Sequence, residues 1–430
     1  MAERLPATLR AYRRLAAVAM PLAPLLLRER LRRGKENPER MEERRGQSRV
    51  HRPHGPLVWV HGASVGEITA IVPLVERLCA RGFNVLVTSG TTTSAELALK
   101  RLPPGVIHQF FPLDAPRFVK RFLDHWRPGL ALIAESELWP NMIMESAARG
   151  IPLVLVNGRL SERSFSRWRK APATIQALLE RFDLCLTQSA HDADRYSELG
   201  APRVTMTGNL KLDVPAPPAD SVKLAAIQRA VDRRPIIVAA STHPGEESAV
   251  IDAHLRLRDH FRGLLTIMVP RHPERGPGVV SIADVAGLPT AMRSRGDLPE
   301  RRTEIYVADT IGELGLMYRL TPIVFMGGSL VRHGGQNPIE AAKLGSAILH
   351  GPHVWNFADI YSALDAARGA EEVEDAARLS SRLGAWLGDP RLRERIAEAA
   401  LETVEVLGGA LDRTLSAVEP YLMQLRLEHR

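Results

Sequence analysis

From residue 57 onward the chain alternates short runs of Val, Ile and Leu with longer stretches whose apolar residues fall three or four apart. That is the pattern of strands joined by crossover helices, and it predicts an α/β fold on parallel sheets. Strands are predicted at 57–60, 84–88, 130–134, 153–156, 184–187 and 204–207, then at 236–239, 264–269, 304–307, 323–326 and 347–349. The first crossover helix is predicted over 68–80, with Ile71, Val75 and Leu78 on one face. Residues 212–220 (LDVPAPPAD) are Pro-rich and aperiodic, and read as a linker between two doubly wound halves. A cleft between the halves, at the C-terminal ends of the strands, is the expected place for ligands.

A length of 430 residues exceeds what one core usually supports, which agrees with two domains. The expected division is a basic, apolar N-terminal segment at 1–38, one Rossmann-like domain at 39–213, a second at 221–405, and a C-terminal helix at 406–430 free to cross back to the first. The two cysteines, Cys79 and Cys185, lie far apart in apolar segments, which suggests neither a disulfide scaffold nor a zinc site.

The formal charge of +8 matters once it is located. Residues 1–52 hold fourteen Lys+Arg against six Asp+Glu, so the whole excess lies there and the rest of the chain is balanced. A basic groove in the body would suit nucleic acid; a basic tail suits an anionic membrane surface instead. The tail also carries an apolar run, 15–27 (LAAVAMPLAPLLL), flanked by arginines and interrupted by Pro21 and Pro24. It is shorter than the roughly 20 residues a spanning helix needs, and no small-residue cleavage site follows, so a shallow interfacial anchor is the first expectation, with a tilted span and an ordinary buried helix as the alternatives.

Several strand ends carry candidate chemistry. VWVHGASVGE (58–67) runs from a strand through small residues into a helix, leaving room for a substrate at Ser64 and Gly66. Glu67 in the first turn is placed to act as a general base, or else to complete a capping box with Ser64. The same segment matches G-x-S-x-G, but a hydrolase elbow follows several strands and this one follows the first. AESELWPN brings Glu135 and Glu137 to the next switch between strand and helix, and Arg159 and Lys211 follow later strands. In the second half Ser241 and Thr242 follow a strand, and Arg271 and His272 sit between prolines that fix their backbone.

FMGGSLVRHGGQNPIE (325–340) combines two glycine pairs with an Asn-Pro helix start. The backbone N–H groups of Gly327, Gly328 and Ser329 are expected to form a phosphate nest, with Asn337 beside it and Glu340 accepting from ribose hydroxyls. It matches neither the dinucleotide fingerprint nor the P-loop. Asp192-Ala-Asp194 has the form of a metal-binding D-x-D, but lies in a helical stretch where both carboxylates are expected to face solvent; no metal is expected.

Together HGASVGE, AESELWPN, NGRLSERS, TQSAHDADRY, TGNLK, STHPGEE, PRHPER, FMGGSLVRHGGQNPIE and HGPHVWNF resemble the Kdo (3-deoxy-D-manno-octulosonic acid) transferases, over nearly the whole chain. The resemblance implies the GT-B fold: two Rossmann-like domains facing a central cleft. It also implies CMP-Kdo as donor substrate with no further cofactor, a lipid A precursor as acceptor, and the cytoplasmic face of the inner membrane as the place of work. Carried onto this chain, Glu67 is the catalytic base and Glu135 and Glu137 line the acceptor side. Arg271, His272, Gly327, Gly328, Ser329, Asn337 and Glu340 hold CMP. Three features depart from the family pattern: Gln336 in place of a His, Arg332 where Pro is common, and a shorter Thr-rich loop at 91–96. An epimerase of related fold and a non-catalytic sugar-nucleotide binder are the competing readings.

Overall fold

The computed structural model describes residues 5–428, which form two compact units. One runs to Val214 and resumes at Gly408; the other is Pro215–Leu407. The chain passes between them within the Pro-rich stretch, which holds no regular structure from the short 3₁₀ turn Leu210–Leu212 to the helix Ser221–Val231.

The first unit holds β1 (Leu57–His61), β2 (Asn84–Ser89), β3 (Ile107–Phe110), β4 (Leu130–Ala134), β5 (Leu153–Gly158), β6 (Leu184–Thr187) and β7 (Val204–Met206). They form one parallel sheet in the order β3-β2-β1-β4-β5-β6-β7. Helices cover both faces, so successive side chains of a strand enter different cores. Leu57 and Trp59 of β1 pack with Trp126, Phe122 and Ile175, while Val58 and Val60 pack with Ile71, Leu74 and Val418.

The second unit holds β8 (Ile236–Thr242), β9 (Leu265–Pro270), β10 (Thr290–Met292), β11 (Ile305–Val307), β12 (Ile323–Met326), β13 (Ala347–His350) and β14 (Ala370–Glu372). Its parallel sheet runs β10-β11-β9-β8-β12-β13-β14. Strand order therefore reverses between β1 and β4 in one sheet and between β8 and β12 in the other.

Three strands escape the hydrophobic pattern. β10 (TAM) and β14 (AEE) are three residues long, and β3 (IHQF) has polar residues at its centre. β3 survives because its polar groups are met: Gln109 Oε1 accepts from Trp126 Nε1 at 2.7 Å, and His108 Nε2 lies 2.9 Å from Ser89 Oγ. It is also an edge strand whose outer backbone is covered by the basic tail. Glu43 Oε2 accepts from Phe110 N at 2.7 Å, and Arg40 Nη2 donates to the His108 carbonyl at 2.9 Å.

The tail is thus built into the first unit rather than appended to it. Its helices Ala7–Ala19 and Ala23–Arg32 are broken by a 3₁₀ turn at Pro21. Leu9 enters the main core, Arg13 pairs with Glu145 at 2.6 Å, and Leu15, Val18, Leu22, Leu25 and Leu26 stay exposed. Among the described residues no helix is long and apolar enough to cross a membrane. At the other end, the helix Ala410–Leu427 buries Leu415, Val418, Leu422 and Leu425 against the first sheet's helical layer, and the Asp213 carboxylate accepts from the N–H groups of Gly409 and Leu411.

Leu422 is 1% exposed, so truncation leaves a cavity the sheet cannot fill. Leu422→Ala is expected to destabilise the first unit by about 2–5 kcal/mol. Urea unfolding followed by tryptophan fluorescence, with Trp59 and Trp126 reporting on that unit, measures it.

Candidate active site

In the first unit the reactive groups gather where strand order reverses, at the C-terminal ends of β1 and β4, the usual ligand position of such sheets. β1 ends at His61, Gly62 and Ala63 follow, and the helix Val65–Ala80 starts three residues earlier than its apolar spacing predicts, because Ser64 caps it. The cap departs from a capping box in one bond: the Glu67 side chain reaches back past Ser64 N to Ala63 N. Ser64 Oγ accepts from Glu67 N at 3.3 Å and donates to Glu67 Oε1 at 2.7 Å, while Ala63 N donates to Glu67 Oε2 at 2.8 Å.

Capping does not remove Glu67 from chemistry. Burial, then the Glu135 charge and less strongly that of Glu137, raise its pKa above the usual carboxylate value against the opposing Ser64 and Ala63 bonds. The carboxylate is nearly buried, while Ser64, Val65 and Gly66 beside it are exposed, so a substrate can reach the turn.

After β4 the backbone takes a positive φ at Glu135 (54°), which turns the two carboxylates to different partners. Glu135 Oε1 accepts from Lys211 Nζ at 2.8 Å. Glu137 Oε2 accepts from Trp139 Nε1 at 2.6 Å and lies 3.9 Å from His61 Nε2. Burial works to raise the Glu137 pKa, but the His61 and Trp139 contacts outweigh it and hold the group below its usual value. Arg159 lies half-buried just after β5. The structure therefore brings Glu67, Glu135, Glu137 and Lys211 into one cluster, with the pKa of Glu67 raised and that of Glu137 lowered.

His61 belongs to this cluster although its sequence gives little sign of it. Its ring is 1% exposed, Nδ1 lies 2.8 Å from Thr88 Oγ1, and buried Nε2 has no hydrogen-bond partner among the described residues. The one available signal is position: it is the last residue of a strand otherwise apolar throughout.

In the second unit, the segments after β8 and β12 meet at that sheet's own reversal. β8 extends through Ser241 and Thr242, with Ser241 at φ 55°. An added Cβ on Gly327 would fall 2.5 Å from the Ser241 carbonyl oxygen, so the absence of a side chain is what lets the two segments touch. His243 stacks on His333 with ring centroids 4.1 Å apart, and Gln336 Nε2 lies 3.0 Å from His243 Nε2. Burial, then the neighbouring His333, His272, Arg271 and Arg275, push His243 down to about 4. Arg271 and His272 are exposed after β9, Asn337 Oδ1 accepts from Ile339 N at 3.1 Å, and Glu340 sits half-buried in a five-residue helix.

A family model described as 3-deoxy-D-manno-octulosonic-acid transferase (kdotransferase) matches residues 39–214. The 3-deoxy-D-manno-octulosonic acid transferase of Haemophilus influenzae is 36% identical over 371 residues, spanning 85% of this chain and 87% of that protein. The chain belongs to the Kdo transferase family. A second Kdo transferase, from Bordetella pertussis, is 34% identical over 88% of this chain and 90% of its own length. A solved glycosyltransferase from Rickettsia africae covers 86% of this chain and 99% of its own at a TM-score of 0.60 and 13% identity, which shows the shared GT-B fold.

The structure corrects two expectations for this Kdo transferase. The N–H groups of Gly328 and Ser329 do not form an open phosphate nest: they donate to Glu246, at 2.7 Å to Oε2 and 2.9 Å to Oε1. Leu330 N and His243 N donate to the same carboxylate, each at 2.9 Å. Ser329 is wholly buried, and its hydroxyl serves the Met326 carbonyl and Gly351 N, not a ligand. Thr242 is likewise buried. The cause is a helix-start carboxylate 82 residues from Gly328 in sequence, which spacing within the glycine motif does not reveal. Secondly, Asp192 does not face solvent. It caps the helix Ala190–Glu198 with Ser189, and its Oδ1 accepts from Leu160 N at 2.8 Å, while Asp194 is exposed.

Glu246→Gln turns an amide NH₂ toward backbone N–H groups that need an acceptor. The second unit is expected to lose about 1–3 kcal/mol for each bond to charge that fails, read as a fall in the Tm of that unit by differential scanning calorimetry.

Proposed function

We propose that this Kdo transferase moves Kdo from CMP-Kdo to a hydroxyl of the phosphorylated disaccharide lipid A precursor, lipid IVA, in one inverting displacement. The observation that carries the reading is Glu67: a carboxylate at the reversal point of the first sheet, raised in pKa and flanked by an exposed helix start. Two of its four lone-pair positions are used, by Ala63 N and Ser64 Oγ, which leaves acceptor capacity for a sugar hydroxyl.

Glu67 takes the proton of that hydroxyl as its oxygen bonds to the anomeric carbon of Kdo. The bond from that carbon to the CMP phosphate breaks, and CMP leaves with the electron pair on the opposite face. Lys211 neutralises Glu135 and thereby limits the repulsion that Glu67 must bear as it ionises. Arg271 and His272 meet the departing phosphate, and Glu340 holds the ribose. The reaction as written consumes CMP-Kdo as a substrate and calls for no further cofactor. The tail's exposed Leu15, Val18, Leu22, Leu25 and Leu26 and its arginines seat the enzyme on the cytoplasmic face of the inner membrane, where its lipid acceptor lies.

Glu67→Gln is expected to slow transfer about 10²–10⁴-fold while CMP binding persists, measured by mass spectrometry of lipid product. In the unmodified enzyme the rate falls on the acid side as Glu67 gains its proton. Because its pKa is raised, that limb lies above the ordinary carboxylate range. Near-wild-type transfer by the Gln variant would remove the assignment.

Deleting the tail would unmake the edge of the first sheet, so membrane seating is better tested by Leu22→Ser/Leu25→Ser/Leu26→Ser. The triple variant is expected to stay in solution when the unmodified protein sediments with anionic vesicles. Equal sedimentation of the two would argue against the apolar ridge.

A further inference from the structure

The supports of Glu67 and Glu137 converge on one tail residue, Arg44. Its side chain is nearly buried, and its guanidinium lies over the Phe110 ring, 4.6 Å from the centroid. Nε donates to Glu36 Oε2 at 2.9 Å, Nη1 to the Phe111 carbonyl at 3.0 Å and Nη2 to the Gly90 carbonyl at 2.7 Å. Both carbonyls belong to the residues that immediately follow β2 and β3, at the end of the sheet where the carboxylates gather.

From Gly90 the chain of contacts is short. Gly90 N donates to the Ala63 carbonyl at 3.0 Å, and Ala63 N donates to Glu67 Oε2 at 2.8 Å. From Phe111 it is equally short. The Phe111 ring lies 4.1 Å from the His61 ring, and His61 Nε2 is 3.9 Å from Glu137 Oε2. A buried ion pair is weak evidence for stability, since its desolvation offsets most of its attraction. What Arg44 does have is a rigid planar fork that reaches three receivers at once, which a lysine cannot copy.

We propose that Arg44 is a positioning residue for transfer: by gripping the carbonyls of Gly90 and Phe111 it fixes the Ala63 amide under Glu67 and the His61 ring beside Glu137. Glu36 holds the fork in register, and is itself held by Arg30 Nε at 2.6 Å. The proposal rests on Glu67 being the base, and it assigns a function to the tail motif GKENPERMEERRG (34–46) that the transfer chemistry alone does not explain.

The test uses the full-length protein, CMP-Kdo and the lipid acceptor. Arg44→Lys keeps the charge and loses the fork; Arg44→Met/Glu36→Gln removes both charges, so neither is left buried alone. Leu422→Ala, which destabilises the same unit from its C-terminal helix, is the reference for loss of stability. Both Arg44 variants are expected to lose about 10–100-fold in kcat, the scale of a misplaced catalytic group, with the KM for CMP-Kdo changed less than about twofold. The acid limb of the rate should move to higher pH, because Glu67 loses the Ala63 bond that favours its ionised form. In Leu422→Ala that limb should stay in place.

Arg44 variants that match Leu422→Ala in rate and pH profile at equal Tm would overturn the positioning role. Should Arg44→Lys fail to fold, the double variant decides by the same readouts. A slow Glu67→Gln beside a wild-type Arg44→Lys removes the positioning role alone; a fast Glu67→Gln removes the base, and the proposal with it.

Discussion

Each unit begins its second layer in the same way: the first strand ends, the chain turns, and a glutamate at the start of the next helix folds back onto backbone N–H groups. The two glutamates, Glu67 and Glu246, stand at equivalent points of two parallel sheets and share the same constraint, that backbone amides in the turns beyond the strand ends must be satisfied. Their fates differ by how far that demand is met. Glu246 accepts four N–H bonds, from His243, Gly328, Ser329 and Leu330, which fill its lone-pair positions and join the β8 and β12 ends. A carboxylate so saturated is a structural tie. Glu67 accepts from Ala63 N and Ser64 Oγ, faces two other carboxylates and keeps room for a proton. Equivalent positions in the fold thus yield a saturated clamp in one unit and, in the other, a carboxylate with the open acceptor capacity that the proposed base requires.

That difference also bears on the glycine-rich segment after β12. Glycines at 327 and 328 permit close backbone approach, and close approach is often used to cradle phosphate. Here the anion already in place is the protein's own. In the proposed reaction the donor's phosphate is left to the exposed side chains of Arg271 and His272 after β9, near the stacked rings of His243 and His333. His243 is held neutral by its burial and its cationic neighbours, so it can accept a hydrogen bond as Gln336 requires without adding a further charge.

How much of this the sequence carries depends on whether a residue's partner is near it along the chain. Strands buried on both faces, such as LVWVH and LALIA, announce themselves by composition, and Ser64 with Glu67 announces a cap by spacing. β3 does not, because IHQF becomes a strand only when Trp126, Arg40 and Glu43 arrive to take its polar groups. The same holds for the site. Glu67, Glu135 and Glu137 stand out as carboxylates at strand ends, whereas His61 reads as the end of an apolar strand and Glu246 as one of two ordinary acids in a first turn. Their roles come from residues 27 to 84 positions away.

The basic tail shows how a charge count misleads when pairing is ignored. Its arginines look like a single patch for an anionic surface, yet Arg13 pairs with Glu145, Arg40 with Glu43, and Arg30 and Arg44 share Glu36. Paired and partly buried charges add little to a surface potential, while Arg10, Arg14 and Arg28 remain exposed on the helices that also carry Leu15, Val18, Leu25 and Leu26. In the proposed membrane seating, attraction then rests more on apolar burial than the net charge suggests. Since apolar burial is not screened by salt as exposed charges are, retention on vesicles should weaken only modestly as ionic strength rises. The remaining arginines serve the fold itself, tying the tail to β3 and, through Arg44, to the loops that carry the site.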